Sequence, residues 1–127
     1  MSISPKELAV KIAGLLDLKK AHELSVIEVT AVTQLADYFV ICTGNSSTQV
    51  KALADEVEFK LKQEGITPNH VEGHRSRSWI VLDYGCVLCH VFDDEARKYY
   101  DLERLWADGN KLDSSEYIVV PEGFVQQ

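Results

Sequence analysis

The densest cluster of potential ligands in the chain is Cys86-Val87-Leu88-Cys89-His90. Two cysteines at this spacing followed by a histidine match the pattern of c-type haem attachment. The surroundings argue against that chemistry. The motif lies in a nearly continuous apolar run, Cys86 to Phe92, that reads as a strand. Side chains alternate along a strand, so residues three apart point to opposite faces. Cys86 and Cys89 are therefore not expected to share a haem, a zinc ion or a disulfide. The only methionine is Met1, so a haem iron would lack its usual methionine partner. With Cys42, these cysteines read as reduced thiols buried in apolar surroundings. A metal site drawing on Cys42, His70, His74 and His90 would want His70-x-x-x-His74 on a helix. That spacing follows Pro68 and runs across Gly73, which disfavour one. No metal and no cofactor is expected.

Two further groups could do chemistry. Gly44-Asn45-Ser46-Ser47 falls between a strand and a helix N-terminus, where free amides and the helix dipole attract anions. It lacks the lysine and the glycine spacing of a phosphate-binding loop, and Ser46 is explained more simply as a cap. Asp83, Asp93 and Asp94 lie near strand ends, and two-metal catalysis needs carboxylates converging on one point. A regular hairpin could bring Asp83 and Asp93 near each other, but no Asp-x-Asp occurs on these strands. Asp93, Asp94 and Glu95 are more simply charges at a helix N-terminus. No Ser/His/Asp or Cys/His arrangement has local sequence support. No catalytic residue is assigned.

The stretch from Trp79 to Trp106 is richer in binding residues than in catalytic ones. Arg97, Tyr99, Tyr100, Leu102, Leu105 and Trp106 crowd one predicted helix. On a helical wheel Tyr99, Leu102 and Trp106 share one face, and Arg97, Tyr100 and Arg104 share another. That is more bulk than one buried stripe requires. Tyr, Trp and Arg dominate binding hot spots. Leu102 and Trp106 are expected in the core, and Trp79 and Tyr100 as exposed anchors.

The positioning elements follow from periodicity. Ser4-Pro5-Lys6-Glu7 is a helix start with a capping box, and Leu8, Ile12, Leu15 and Leu16 share a face up to Lys19 or Lys20. Leu24–Val29 and Asp37–Thr43 read as strands. Ser46 and Gln49 form a second capping box, opening a helix that carries Val50, Leu53, Val57 and Leu61 and stops at Gly65. Val71–Gly73 reads as a short strand. Ser78–Asp83 and Cys86–Phe92 read as a hairpin about Tyr84-Gly85, central because both faces are apolar. A third helix is expected from Asp93 or Asp94 through Trp106, ended by Gly109-Asn110. In the remainder, Tyr117–Val120 could be an edge strand or part of a mobile extension. The order predicts a single α/β domain with a mixed β-sheet flanked by helices.

The 127 residues suit one domain with a real core. No apolar run approaches the roughly 20 residues that span a bilayer, and Met1–Lys11 has no signal-peptide core. A cytoplasmic location is expected. The net charge of −7 argues against generic nucleic-acid binding and favours encounter with a basic protein.

The segments Asp37–Ser47, Glu72-Gly73, Trp79–Gly85, His90–Phe92, Arg97 and Tyr100–Trp106 resemble, in order and spacing, the signatures of the Iojap-like or ribosomal silencing factor family. The resemblance runs from about Leu8 to Asp108. It implies a fold related to nucleotidyltransferases and a homodimer. It implies binding to the large ribosomal subunit through its protein number fourteen, at the face where the small subunit docks. Subunit joining would be blocked and translation repressed when nutrients are scarce, with no cofactor. Carried over by position, the partner-contacting aromatics are Trp79 and Tyr100, with Arg97, Leu102 and Glu103 beside them. Residues 1–108 correspond to the family domain and 109–127 to a C-terminal extension. Cys86 stands where the family often has an acidic residue, which weakens a catalytic reading. The alternative is a nucleotidyltransferase-like enzyme using the Gly44–Ser47 turn for phosphate and Asp83 for a metal. A third reading is a homodimer whose exposed aromatics serve only self-association.

Overall fold

The computed structural model describes residues 3–73, 75 and 77–118. Helix α1 spans Pro5–Leu18. Its capping box is closed in both directions: Glu7 N–H donates to Ser4 Oγ at 3.1 Å, and Ser4 N–H donates to Glu7 Oε1 at 3.0 Å. Leu8, Ile12 and Leu16 stand four residues apart and are buried with Ala9 and Ala13. Helix α2 spans Ser47–Gln63, and Ser46 Oγ accepts from Gln49 N–H as expected. The return bond differs from a capping box: Gln49 Oε1 accepts from Asn45 N–H at 2.6 Å, not from Ser46. At the other end Gly65, at φ +81°, lets Gly65 N–H reach Lys62 O and Ile66 N–H reach Leu61 O, a Schellman stop.

Six strands form one sheet: β1 (His22–Glu28), β2 (Tyr38–Thr43), β3 (His70–Glu72), β4 (Trp79–Asp83), β5 (Val87–Phe92) and β6 (Asn110–Lys111). Their order is β3-β4-β5-β2-β1-β6. Only β2 and β5 run parallel, and the expected β4–β5 hairpin is antiparallel. The two parallel strands lie at the centre, in keeping with their apolarity on both faces.

Strand alternation divides the core in two. Tyr38, Val40 and Cys42 of β2 join Val87, Cys89 and Val91 of β5 beneath α1 and α2. Phe39 and Ile41 join Phe92 on the opposite face, with Ala96 and Leu102. Among the described residues that second face is covered by short helices and by Val29, Val32 and Ala36.

The third helix departs from expectation. It runs as α3 over Asp94–Tyr100, breaks at Asp101, and resumes as α4 over Leu102–Leu105. Asp101 is left-handed, at φ 46° and ψ 55°. Aspartate is among the few side chains that tolerate this region. The single wheel drawn across 94–106 therefore does not apply, because the residues after the break are re-aimed.

The chain past Gly109 also differs from a simple extension. Asn110 and Lys111 pair with Glu28 and Ile27 as the edge strand β6. Leu112 and Tyr117 are buried in the larger core, and Tyr117 Oη donates to Leu24 O at 3.3 Å. Of the apolar patch Tyr117–Val120, Tyr117 follows a 3-10 turn at Ser114–Glu116, and Val119 and Val120 lie outside the described residues. Among the described residues no helix is long and apolar enough to cross a membrane.

Candidate functional site

Trp79 opens β4, and its backbone pairs with Phe92 of β5. The approach to β4 depends on Gly73, at φ +93°, where a Cβ would collide with the Trp79 carbonyl. The indole stacks on Phe92 with centroids 5.0 Å apart, meets Tyr100 at 4.4 Å, and donates from Nε1 to His90 Nδ1 at 3.1 Å. Phe39 continues the row, edge-on to His90 at 5.0 Å and to Trp106 at 5.5 Å. Aromatic rings thus tile the thinly covered sheet face from Trp106 to Tyr100. Tyr100 is 46% exposed, Tyr99 82% and Leu105 69%. Trp79 is half-buried rather than a freely exposed anchor, because Phe92, His90 and Tyr100 surround its ring.

Arg97 and Leu102 take a different place from the expected surface. Both are buried. Arg97 donates from Nη1 to Thr43 Oγ1 at 2.9 Å, and from Nε and Nη2 to Glu103 Oε1 at 3.1 and 2.9 Å. Glu103 also lies 3.7 Å from Lys111 Nζ on β6. Burial opposes the Glu103 charge, yet the Arg97 hydrogen bonds and charge, helped by Lys111, hold its carboxyl below the ordinary value. This network locks α3, α4, β2 and β6 around the break at Asp101. Leu102 packs beneath it in the second core. The expected exposed face shared by Arg97 and Tyr100 does not exist: Arg97 points into the protein and Tyr100 out of it.

Tyr99 and Leu105 belong to the exposed patch and were missed by the wheel, which set Tyr99 on the core side with Leu102. His90, read as part of a cysteine motif, as a candidate metal ligand and as part of a family segment, is the buried support of Trp79. Its side chain faces the aromatic row, and burial pushes its pKa down to about 4, so the ring is neutral. A hollow of about 620 Å³ beside the patch is lined by Asp93, Glu95, Lys98, Tyr99 and Tyr100 among others.

The other candidate groups are placed as structural parts. Cys86 lies in the turn before β5, so strand alternation does not apply to it, and it packs against the same core as Cys89. This corrects the expectation of opposite faces. All three cysteines are free thiols. Burial pushes Cys42 up to about 12, and raises Cys89 and Cys86 as well, the reverse of activation. His70 sits exposed on β3, and His74 lies outside the described residues. Among the described residues no three His, Cys, Asp or Glu side chains are grouped to hold a metal. Asp83 and Asp93 stand at opposite ends of the β4–β5 hairpin rather than near each other. Asp83 Oδ1 accepts from Gly85 N–H in the turn, and Asp93 Oδ1 accepts from Ala96 N–H as the α3 cap, both at 2.8 Å. The Gly44 turn lies beside Asp93, since Gly44 N–H donates to Phe92 O at 2.8 Å. Carboxylates at that point oppose a phosphate.

A family profile described as "Ribosomal silencing factor during starvation" matches residues 2–123. The chain belongs to the ribosomal silencing factor family. A ribosomal silencing factor of Halalkalibacterium halodurans is 37% identical over 106 residues, covering 84% of this chain and 91% of that relative. One from Bacillus subtilis is 38% identical over 101 residues, covering 80% and 86%. A crystal structure of a Chromobacterium violaceum protein superposes with a TM-score of 0.75 at 34% identity, covering 97% of each chain.

Proposed function

We propose that this member of the family binds the large ribosomal subunit through its protein number fourteen and keeps the small subunit from joining, repressing translation when nutrients are scarce. The observation that carries the reading is the Trp79–Tyr100 pair. Two aromatic rings in contact, tilted by 45° with centroids 4.4 Å apart, stand partly exposed on a sheet face that short helices leave thinly covered, with Tyr99 and Leu105 exposed nearby. Apolar aromatic surface backed by a rigid sheet is the kind of anchor that dominates protein interfaces. The net charge of −7 suits a basic ribosomal partner. Trp79 and Tyr100 make the contact. Arg97, Leu102 and Glu103 act from behind, by fixing the helix break that aims Tyr100.

The action is steric and not enzymatic. Separation of Asp83 from Asp93, with Asp83 bonded into the hairpin turn and Asp93 capping α3, supports this over nucleotidyl transfer. In this reading the protein works in the cytoplasm and forms a homodimer. Sedimentation with purified large and small subunits tests the reading. The protein is expected to travel with the large subunit alone, and Trp79→Ala and Tyr100→Ala to stay in the supernatant while remaining folded. Co-sedimentation of both variants at the wild-type level would sink the proposed surface.

A further inference from the structure

His90 occupies a position that strand geometry would give to an apolar residue. It alternates on β5 with Leu88 and Phe92, facing the same side of the sheet, and its ring lies against Phe39 and Phe92. It is 5% exposed. The indole N–H of Trp79 can only donate, so the Nδ1 it meets carries a lone pair and the ring proton sits on Nε2. Nε2 is buried with no hydrogen-bond partner among the described residues. A buried donor left unsatisfied destabilises a fold, and a phenylalanine would fill the same space without that cost. What phenylalanine lacks is an acceptor for the indole. Burial keeps the ring neutral at neutral pH, so the lone pair is present there.

We infer that His90 is the positioning residue of the docking surface: its Nδ1 holds the Trp79 indole in the orientation against which Tyr100 packs. Register supports the pairing. Trp79 lies opposite Phe92, and His90 opposite Val81, so Trp79 and His90 are diagonal neighbours on one face. Without the bond, the half-buried indole has no polar tether and can turn about its side-chain bonds, taking the packing surface for Tyr100 with it. The inference rests on the docking reading above, and the experiment separates the two.

The full chain is compared as wild type, His90→Phe, His90→Asn and Trp79→Ala. Asparagine places Oδ1 where histidine has Nδ1, so it restores the acceptor without the ring. Indole N–H exchange with water is read by nitrogen-15 NMR, with the Trp106 indole as reference. Binding to purified large subunits is read by sedimentation, and folding by thermal melting. His90→Phe is expected to melt no lower than wild type, to expose the Trp79 indole to faster exchange, and to bind roughly tenfold more weakly. His90→Asn is expected to recover both indole protection and binding. Should the phenylalanine variant fail to fold, His90→Leu takes its place in the comparison. The inference falls if the apolar variant keeps a protected indole or wild-type binding, or if asparagine behaves like phenylalanine. Loss of binding in Trp79→Ala with full binding in His90→Phe overturns the positioning role alone. Full binding in Trp79→Ala overturns the docking surface itself.

Discussion

Arg97 Nη1 donates to Thr43 Oγ1 at 2.9 Å, joining the middle of α3 to the last residue of β2 across 54 positions of sequence. The same guanidinium turns its other two nitrogens onto Glu103, beyond the break at Asp101. One side chain thus spans the sheet, the first helix segment and the second. A planar fork with fixed donors suits this task better than a lysine.

Arg97→Ala is expected to destabilise the fold by about 2–4 kcal/mol, because it leaves Thr43 Oγ1 with only a 3.4 Å bond to Glu23 and a partly buried Glu103 carboxylate with only Lys111 at 3.7 Å. Arg97→Lys should fall between alanine and wild type. Urea unfolding followed by circular dichroism at neutral pH measures both. An unchanged midpoint for the alanine variant would mean the network contributes nothing.

Acid should weaken the fold through His90. Its pKa in the folded chain is down at about 4 because of burial, against an ordinary 6.5. Above 6.5 neither folded nor unfolded chain protonates it. Between 6.5 and 4 the unfolded chain takes up a proton that the folded chain refuses, so stability drops as pH falls. The loss approaches a limit on the order of 3 kcal/mol by pH 4. Glu103 adds to it at lower pH, since its depressed value means that the Arg97 pairing is lost as pH falls through the folded pKa. His90→Asn should flatten the upper part of this dependence. Parallel slopes for wild type and variant between pH 6.5 and 4.5 would rule the assignment out.

Gly73→Ala is expected to cost about 2 kcal/mol or more, from a left-handed φ and a Cβ forced against the Trp79 carbonyl. The displacement acts on the first residue of β4, so it should also weaken association with large subunits. Thermal melting and sedimentation of the one variant check both effects. A variant as stable as wild type would show that the loop gives way freely.

The thiols should divide one against two. Cys86 is partly exposed, while Cys42 and Cys89 are fully buried with raised pKa values. At pH 8 a chromogenic disulfide reagent should titrate one thiol slowly in the folded protein, and all three in denaturant. Two or more fast-reacting thiols in the native protein would contradict the buried reading of the Cys86–His90 motif.

Much of the fold was legible in the residues taken alone. Capping residues and four-residue apolar spacing marked α1 and α2 because helix ends and helix faces are local properties. The apolar run Cys86–Phe92 announced a central position because a strand buried on both faces cannot carry polar alternation, whereas Ser78–Asp83, expected to share that position, became β4 beside the edge strand β3, and the centre is shared with β2 instead. Trp79 and Tyr100 stood out by residue type. What the residues could not disclose was decided by contacts between distant segments. The break at Asp101 leaves no mark in periodicity, since aspartate is common in helices, and it is Arg97 reaching Thr43 and Glu103 that holds it. A wheel assumes a continuous helix, so it set Tyr99 inward and Arg97 outward when the fold does the reverse. β6 is two residues long, too short for any alternating pattern, and forms because β1 offers it an edge. The chemistry of His90 was hidden by its neighbours Cys86 and Cys89, which suggested a ligand motif. Only the pairing of β4 with β5 brings the Trp79 indole to its lone pair.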